Sequence, residues 1–262
     1  MTESNTLLER SGAILIFTFD RAEKYNAFTR PMLGALRDAF ERFAKGSTLR
    51  VLLIKATGRY FSSGMDVTAL GAGPRDEGPS AFRRRYRESA WHQLYDEFEA
   101  IEKPIVVAHQ GPCLGAALEM SLSCDFRLAS DAAHYALPEL NMGMIPGSGG
   151  TSRLVRTIGG HWARWMIMAN RPIGVDHAHT IGLVHDIYPA TTFDEKVDEF
   201  CQSLAAQPPE ALGAAKLAIE LATDLDRAQA RNIERLTNSS LFGREEQTLV
   251  FAELQKKFTK QK

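Results

Sequence analysis

The chain has 262 residues, 44% of them hydrophobic, and a formal net charge of −1. That is enough to bury a sizeable core, and a charge so close to zero gives no electrostatic case for nucleic acid or an anionic membrane as the main partner. The three cysteines, Cys113, Cys124 and Cys201, form no C-x-x-C pair and are odd in number, so they read as buried thiols of a reducing compartment and not as a disulfide framework or a zinc site.

The N-terminal residues include an acid and show no Arg-rich amphipathic pattern. The first apolar run, 13–19, is too short for a signal-peptide core or a membrane span, so a cytoplasmic location is expected. The β-branched and aromatic stretch 12–19 predicts a strand that ends at Asp20-Arg21. Met32, Leu36, Phe40 and Phe43 recur at helical spacing and predict a helix over 30–43, closed by Gly46-Ser47. The continuous apolar run 51–56 predicts a buried strand, followed by a loop that holds Phe61-Ser62-Ser63-Gly64-Met65-Asp66. Residues 71–80, rich in Gly, Pro and charge, are expected to be a mobile loop, and a long helix is expected over 81–101, before Pro104. Runs 105–109 and 125–129 predict two further strands. Past 183–188 the pattern turns helical, at 193–206, 209–222, 227–237 and 245–257. Alternating strands and helices predict an α/β architecture with mainly parallel pairing, divided into a core over 1–190 and a helical portion over 191–262. No sequence repeat is present.

Two glutamates stand out. Glu119 ends the segment Gly111-Pro112-Cys113-Leu114-Gly115-Ala116-Ala117-Leu118-Glu119, where a strand passes through a small-residue turn into an apolar helix. The first amides of a helix have no intrahelical partner and can hold an oxyanion, and Glu119 falls one turn beyond Ala116 on the same face. Its flanking Leu118, Met120 and Leu122 argue against the alternative, a solvated surface acid. Glu139 sits in Leu137-Pro138-Glu139-Leu140, expected as a loop, and taken alone is as readily an idle loop carboxylate as a working one. The Gly147-Ser148-Gly149-Gly150 run after it is expected to open a helix and to be able to cradle an anion; it is neither a Walker loop nor G-x-G-x-x-G.

Arg21-Ala22-Glu23-Lys24-Tyr25-Asn26-Ala27, the Phe61 to Asp66 string, the segment from Gly111 to Asp125, and Pro138-Glu139 through Arg153-Leu154 together resemble the crotonase (enoyl-CoA hydratase/isomerase) family, over the chain from about residue 10 onward. The resemblance implies a spiral of ββα units with a helical C-terminal trimerisation portion, and a homotrimer or homohexamer. It implies a coenzyme A thioester as ligand, at Lys24, Ala27, Ser63, Gly64, Met65, Asp66, Val67 and Ala116, with coenzyme A entering as part of the substrate, no separate cofactor and no metal. It places the oxyanion-hole amides at Met65 and Ala116 and the two hydratase acids at Glu119 and Glu139, with Glu119 as base toward water and Glu139 as acid toward the α-carbon. Which carboxyl holds the proton at rest is left open by the sequence. The activity implied is syn hydration of a 2-enoyl-CoA. The alternatives are an isomerase or specialised acyl-CoA dehydratase, and a non-catalytic homologue binding CoA or RNA.

The chain departs from the family pattern at Ala116 and Ala117, where glycine is frequent, at Tyr25, where a basic residue is frequent, and in the C-terminal stretch holding Lys256 and Lys257, either of which is a candidate for a CoA phosphate. The run Arg83-Arg84-Arg85-Tyr86-Arg87 reads as a solvated helix face. His177 and His179 do not make a metal site by themselves, and Trp91, Tyr95 and Phe242 are candidates for an acyl pocket or simply for core.

Overall fold

The computed structural model describes residues 5–69, 78 and 90–259. The expectations for 71–80 and for Arg83 to Arg87 fall outside them, apart from Gly78.

Strand β1 (Thr6–Ser11), which the sequence pattern did not signal, pairs antiparallel with β2 (Ile14–Phe19) through the tight turn at Gly12, whose φ of +58° suits glycine. From β2 the pairing is parallel: β3 (Val51–Ala56), β4 (Ile105–His109), β6 (Phe126–Ser130) and β9 (Asp186–Tyr188) follow across the sheet in the order β1-β2-β3-β4-β6-β9. A second sheet holds short strands β5 (Cys113–Leu114), β7 (His134–Ala136) and β8 (Ile173–Gly174). Helix α1 (Arg30–Lys45) is capped by the Thr29 hydroxyl, with Pro31 in its first turn.

The chain repeats one unit: a long strand in the large sheet, a short strand in the small one, then a helix. β3 leads to a bridge at Ser62 and then α2 (Ala90–Ala100); β4 leads to β5 and α3 (Ala116–Ser121); β6 leads to β7 and, after a 3-10 turn over Pro138–Met142, to α4 (Gly150–Ile167). The short strands stack in register, Ser62 on Cys113, Cys113 on Tyr135, Tyr135 on Ile173. Three strand-to-helix turns are thereby brought side by side, although the stacked positions Ser62, Cys113 and Tyr135 that precede them lie 51 and 22 residues apart in sequence. The loop expected around Glu139 is replaced by that 3-10 turn.

Side chains alternate across the large sheet. Leu15, Phe17, Leu52, Ile54, Ile105 and Val107 enter the main core, while Ile14, Val51, Leu53, Val106 and Leu128 face the other way. A parallel sheet needs both faces covered. The second face is covered by α6 (Phe193–Ala205), which follows α5 (Val175–Thr180) and buries Phe193, Val197, Cys201 and Leu204 on it. Phe200 packs edge-to-face on Phe126, 5.2 Å between ring centroids. The apolar stripe of α6 is therefore part of the core, and the helix just past residue 191 belongs with the sheet.

Beyond α6 lie α7 (Pro209–Asp224), α8 (Arg227–Leu241) and α9 (Glu245–Thr259), whose only buried residue among those described is Gly213. Lys216 fastens α7 to the core: its ammonium donates to Asp125 Oδ2 at 2.9 Å and to the carbonyls of Phe98 and Lys103. Ile219, Leu236, Phe242, Leu249 and Phe251 remain exposed. Phe242 is thus neither core nor pocket among the described residues: it lies at the C-terminal end of α8 and is exposed there.

Candidate active site

The three adjacent turns supply the site. In the first, Ser62 is fully buried; its hydroxyl donates to the Asn26 carbonyl at 2.7 Å and accepts from the Gly64 amide at 3.1 Å. Asn26, also fully buried, ties the 21–27 segment down by donating to the carbonyls of Thr57 and Tyr60 and accepting from the Arg21 amide. The bridge between Phe28 and Met65 uses the Gly64 carbonyl and the Asp66 amide, and so leaves the Met65 N–H unused. Asp66 pairs with Arg21 at 2.7 Å and accepts from Thr68 at 2.6 Å; these hydrogen bonds, Thr68 first, hold its carboxyl down at about 2.

The second turn approaches the first because Gly64, at φ +94°, has no side chain: a Cβ there would lie 3.0 Å from the Leu114 carbonyl and 3.4 Å from the Ala116 nitrogen. Neither the Met65 nor the Ala116 N–H has an acceptor among the described residues. The third turn brings Glu139 against Gly115, where a Cβ would sit 2.9 Å from Glu139 Oε1.

Glu119, on α3, is 4% exposed. Its Oε2 accepts from the Ser148 amide at 2.6 Å and the Gly150 amide at 3.1 Å, at the N-terminus of α4. The anion that the Gly147 to Gly150 run cradles is therefore the carboxylate of Glu119 itself. Gly150 has to be glycine, since a Cβ would fall 2.6 Å from Glu119 Cγ. Burial pushes the Glu119 carboxyl up to about 7 against the opposing pull of the two amides, with a further rise from nearby Glu139. Glu139, 7% exposed, is also raised by burial, and its Oε2 is buried with no hydrogen-bond partner among the described residues.

Met65, Ala116, Glu119 and Glu139 line one cavity of about 470 Å³, whose apolar wall includes Trp91, Met142 and Ile145. Ser63, Gly64 and Val67 also line it. Lys24, Ala27 and Asp66 do not: Lys24 is exposed on a 3-10 turn, and Ala27 accepts from Arg21. Of the aromatic candidates, Trp91 lines the cavity and Tyr95 is core, its buried hydroxyl without a hydrogen-bond partner among the described residues. Lys256 is exposed on α9, and nothing is described of the Lys257 side chain. His177 packs edge-to-face on Trp162 at 4.2 Å, and no cluster of metal-binding side chains occurs among the described residues. Sequence reasoning passed over Ser62 and Arg153. A serine beside a turn glycine is too common to mark, and the ion-pair partners of Arg153 lie 54 and 57 residues away.

A profile of the enoyl-CoA hydratase/isomerase family matches residues 9–261. A 2,3-dehydroadipyl-CoA hydratase of Escherichia coli is 30% identical, over 88% of this chain and 89% of that protein. The crystal structure of an enoyl-CoA hydratase subunit I from Geobacillus kaustophilus superposes with a TM-score of 0.87 at 28% identity, covering 97% of this chain and 95% of the other. An enoyl-CoA hydratase from Bacillus anthracis gives 0.89 at 25% identity, covering 97% and 96%.

The acidity of Glu119 has a consequence for stability. Its carboxyl rises from an ordinary 4.5 to about 7, so the folded chain holds this proton more tightly than the unfolded one. The resulting stabilisation is complete below the unfolded value and is lost as pH rises through the folded one, about 3 kcal/mol in all. Urea unfolding at about pH 5 and about pH 8 should show Glu119→Gln gaining on the parent by that order as pH rises; parallel pH dependence in the two proteins would refute the shift.

Proposed function

The chain belongs to the enoyl-CoA hydratase/isomerase family, and from there we propose that it adds water reversibly across the 2,3 double bond of a 2-enoyl-CoA thioester. The observation that carries this reading is the convergence of two buried carboxyls, Glu119 and Glu139, with the unused amides of Met65 and Ala116 on one cavity wall. Relatives bearing the names crotonyl-CoA hydratase and short-chain-enoyl-CoA hydratase, at 28% and 29% identity, support it.

In this mechanism the thioester oxygen accepts from the Met65 and Ala116 amides, which stabilise the enolate that forms when water oxygen bonds to C3. Glu119 removes the proton from that water, and Glu139 delivers a proton to C2, giving the 3-hydroxyacyl product. The hydrogen bonding supports this division of labour. Two N–H donors on Glu119 Oε2 favour its anion against the burial that lifts its carboxyl to about 7, whereas Glu139, also raised by burial, has one oxygen with no hydrogen-bond partner among the described residues, which favours its neutral acid. Coenzyme A enters within the substrate, and no other group is required. Among the described residues no helix is long and apolar enough to cross a membrane.

The family resemblance and the uncovered apolar side chains of α7 to α9 support a homotrimer or homohexamer as the working form.

With crotonyl-CoA as substrate, followed by loss of the conjugated thioester absorbance, Glu119→Gln and Glu139→Gln should each lower turnover by about a hundredfold or more. Near-parental hydration by either variant would sink the two-carboxyl mechanism. Ala116→Pro lacks the N–H at a helix position that tolerates proline, so it should keep its circular dichroism yet lose about a hundredfold or more, while Met65→Ala stays within about tenfold. A folded, fully active Ala116→Pro would remove that amide from the oxyanion hole. Sedimentation of the intact protein should give a trimer or hexamer; a monodisperse, fully active monomer would overturn the assembly.

A further inference from the structure

We infer that Arg153 is the positioning residue for Glu119: its guanidinium clamps the 146–149 loop to α2 and thereby fixes the two amides that receive the carboxylate. The inference rests on the reading of Glu119 as the base.

Arg153 is 7% exposed in the first turn of α4. Its Nη1 donates to the Ser148 carbonyl at 3.1 Å. Its Nε and Nη2 form a two-pronged pair with Glu99, both contacts at 2.7 Å, and Nη2 also reaches Asp96 at 2.7 Å. Ser148 is thus held at both ends: its carbonyl accepts from Arg153 while its amide donates to Glu119. Gly149, at φ +86°, lets the backbone pass under the guanidinium, where a Cβ would overlap the Arg153 side chain. On the other side of the clamp, α2 carries Trp91 and His92, which face the cavity. One side chain therefore joins the helix that walls the cavity to the loop that seats the base.

The surrounding charges give the direction of the effect. Glu119 is faced by Glu139, which raises its pKa, by Arg153, which lowers it, and by the buried phenol of Tyr95 from α2. Arg153 is faced by Glu99 and Asp96 and lies within electrostatic reach of His92 and Cys124. Loss of the guanidinium removes a positive charge and releases the Ser148 amide, and both changes disfavour ionised Glu119.

The test is carboxyl carbon-13 NMR of glutamate-labelled, full-length protein, with the Glu119 signal assigned by its absence in Glu119→Gln. In Arg153→Gln the Glu119 midpoint should move upward by about one unit or more, leaving about tenfold less of the ionised form at low occupancy. Arg153→Lys should fall in between. Hydration of crotonyl-CoA by Arg153→Gln should lose about fivefold or more in kcat near neutral pH, recover to within about threefold near pH 9, and keep KM within about threefold. A merely structural role would leave the NMR midpoint and the pH profile in place, and that result overturns the inference. If Arg153→Gln does not fold, Arg153→Lys decides the clamp: it keeps the charge but loses the two-pronged pair with Glu99, and the Glu119 midpoint must still move upward in it. An active Glu119→Gln would instead remove the base assignment, while the midpoint in Arg153→Gln still decides the clamp.

Discussion

A carboxyl group withdrawn from water is the constraint around which this site is organised. Burying a carboxylate without compensation costs several kcal/mol, and a chain can meet that cost by hydrogen-bonding the anion or by keeping the acid protonated. Glu119 does part of each. The Ser148 and Gly150 amides at the start of α4 favour the anion, burial and Glu139 oppose it, and burial wins, to about 7. A proton acceptor balanced near neutrality is suited to general base chemistry. Much of the local sequence follows from that balance: Gly150 must lack a side chain to admit Glu119, and Gly149 must lack one to admit Arg153.

The remaining groups reach the cavity through the repeated strand–strand–helix unit. Because Ser62, Cys113 and Tyr135 stack in register, the turns that follow them stack as well, presenting the Met65 amide, the Ala116 amide and Glu139 from three consecutive units. Backbone groups fixed in this way need no reorganisation when charge develops, which is what makes such donors effective. Glycines at 64 and 115 set how closely the turns approach one another. A methyl at 116 leaves the amide available and lines the cavity, whereas Ala117 is fully buried.

The C-terminal helices divide by what they cover. Helix α6 closes the outer face of the parallel sheet, so its apolar stripe has a partner within the chain. Helix α7 approaches the core closely at Gly213, where a Cβ would lie 3.1 Å from Glu102, and is fastened by Lys216 to Asp125. Their successors carry apolar side chains that are exposed among the described residues.

The sequence by itself determined the element pattern and the chemistry at stake. Apolar runs located β3, β4 and β6, helical spacing located α1 and α6 to α9, and the two glutamates with their glycine-rich neighbours were legible as a site. These are local signals, carried by residues within a few positions of one another. Strand β1 escaped because its residues are largely exposed and mixed in polarity, so no buried face imposes a period. Only the tertiary structure decided the rest. It assigned the α6 stripe to the sheet, turned the anion cradle at Gly147 to Gly150 onto Glu119, left Lys24 and Asp66 off the cavity wall, and joined Arg153 to Glu99 and Asp96. Each of these depends on which distant segment arrives at a given surface, and the stacking of the strand–strand–helix units sets that, beyond the reach of any local period in the chain.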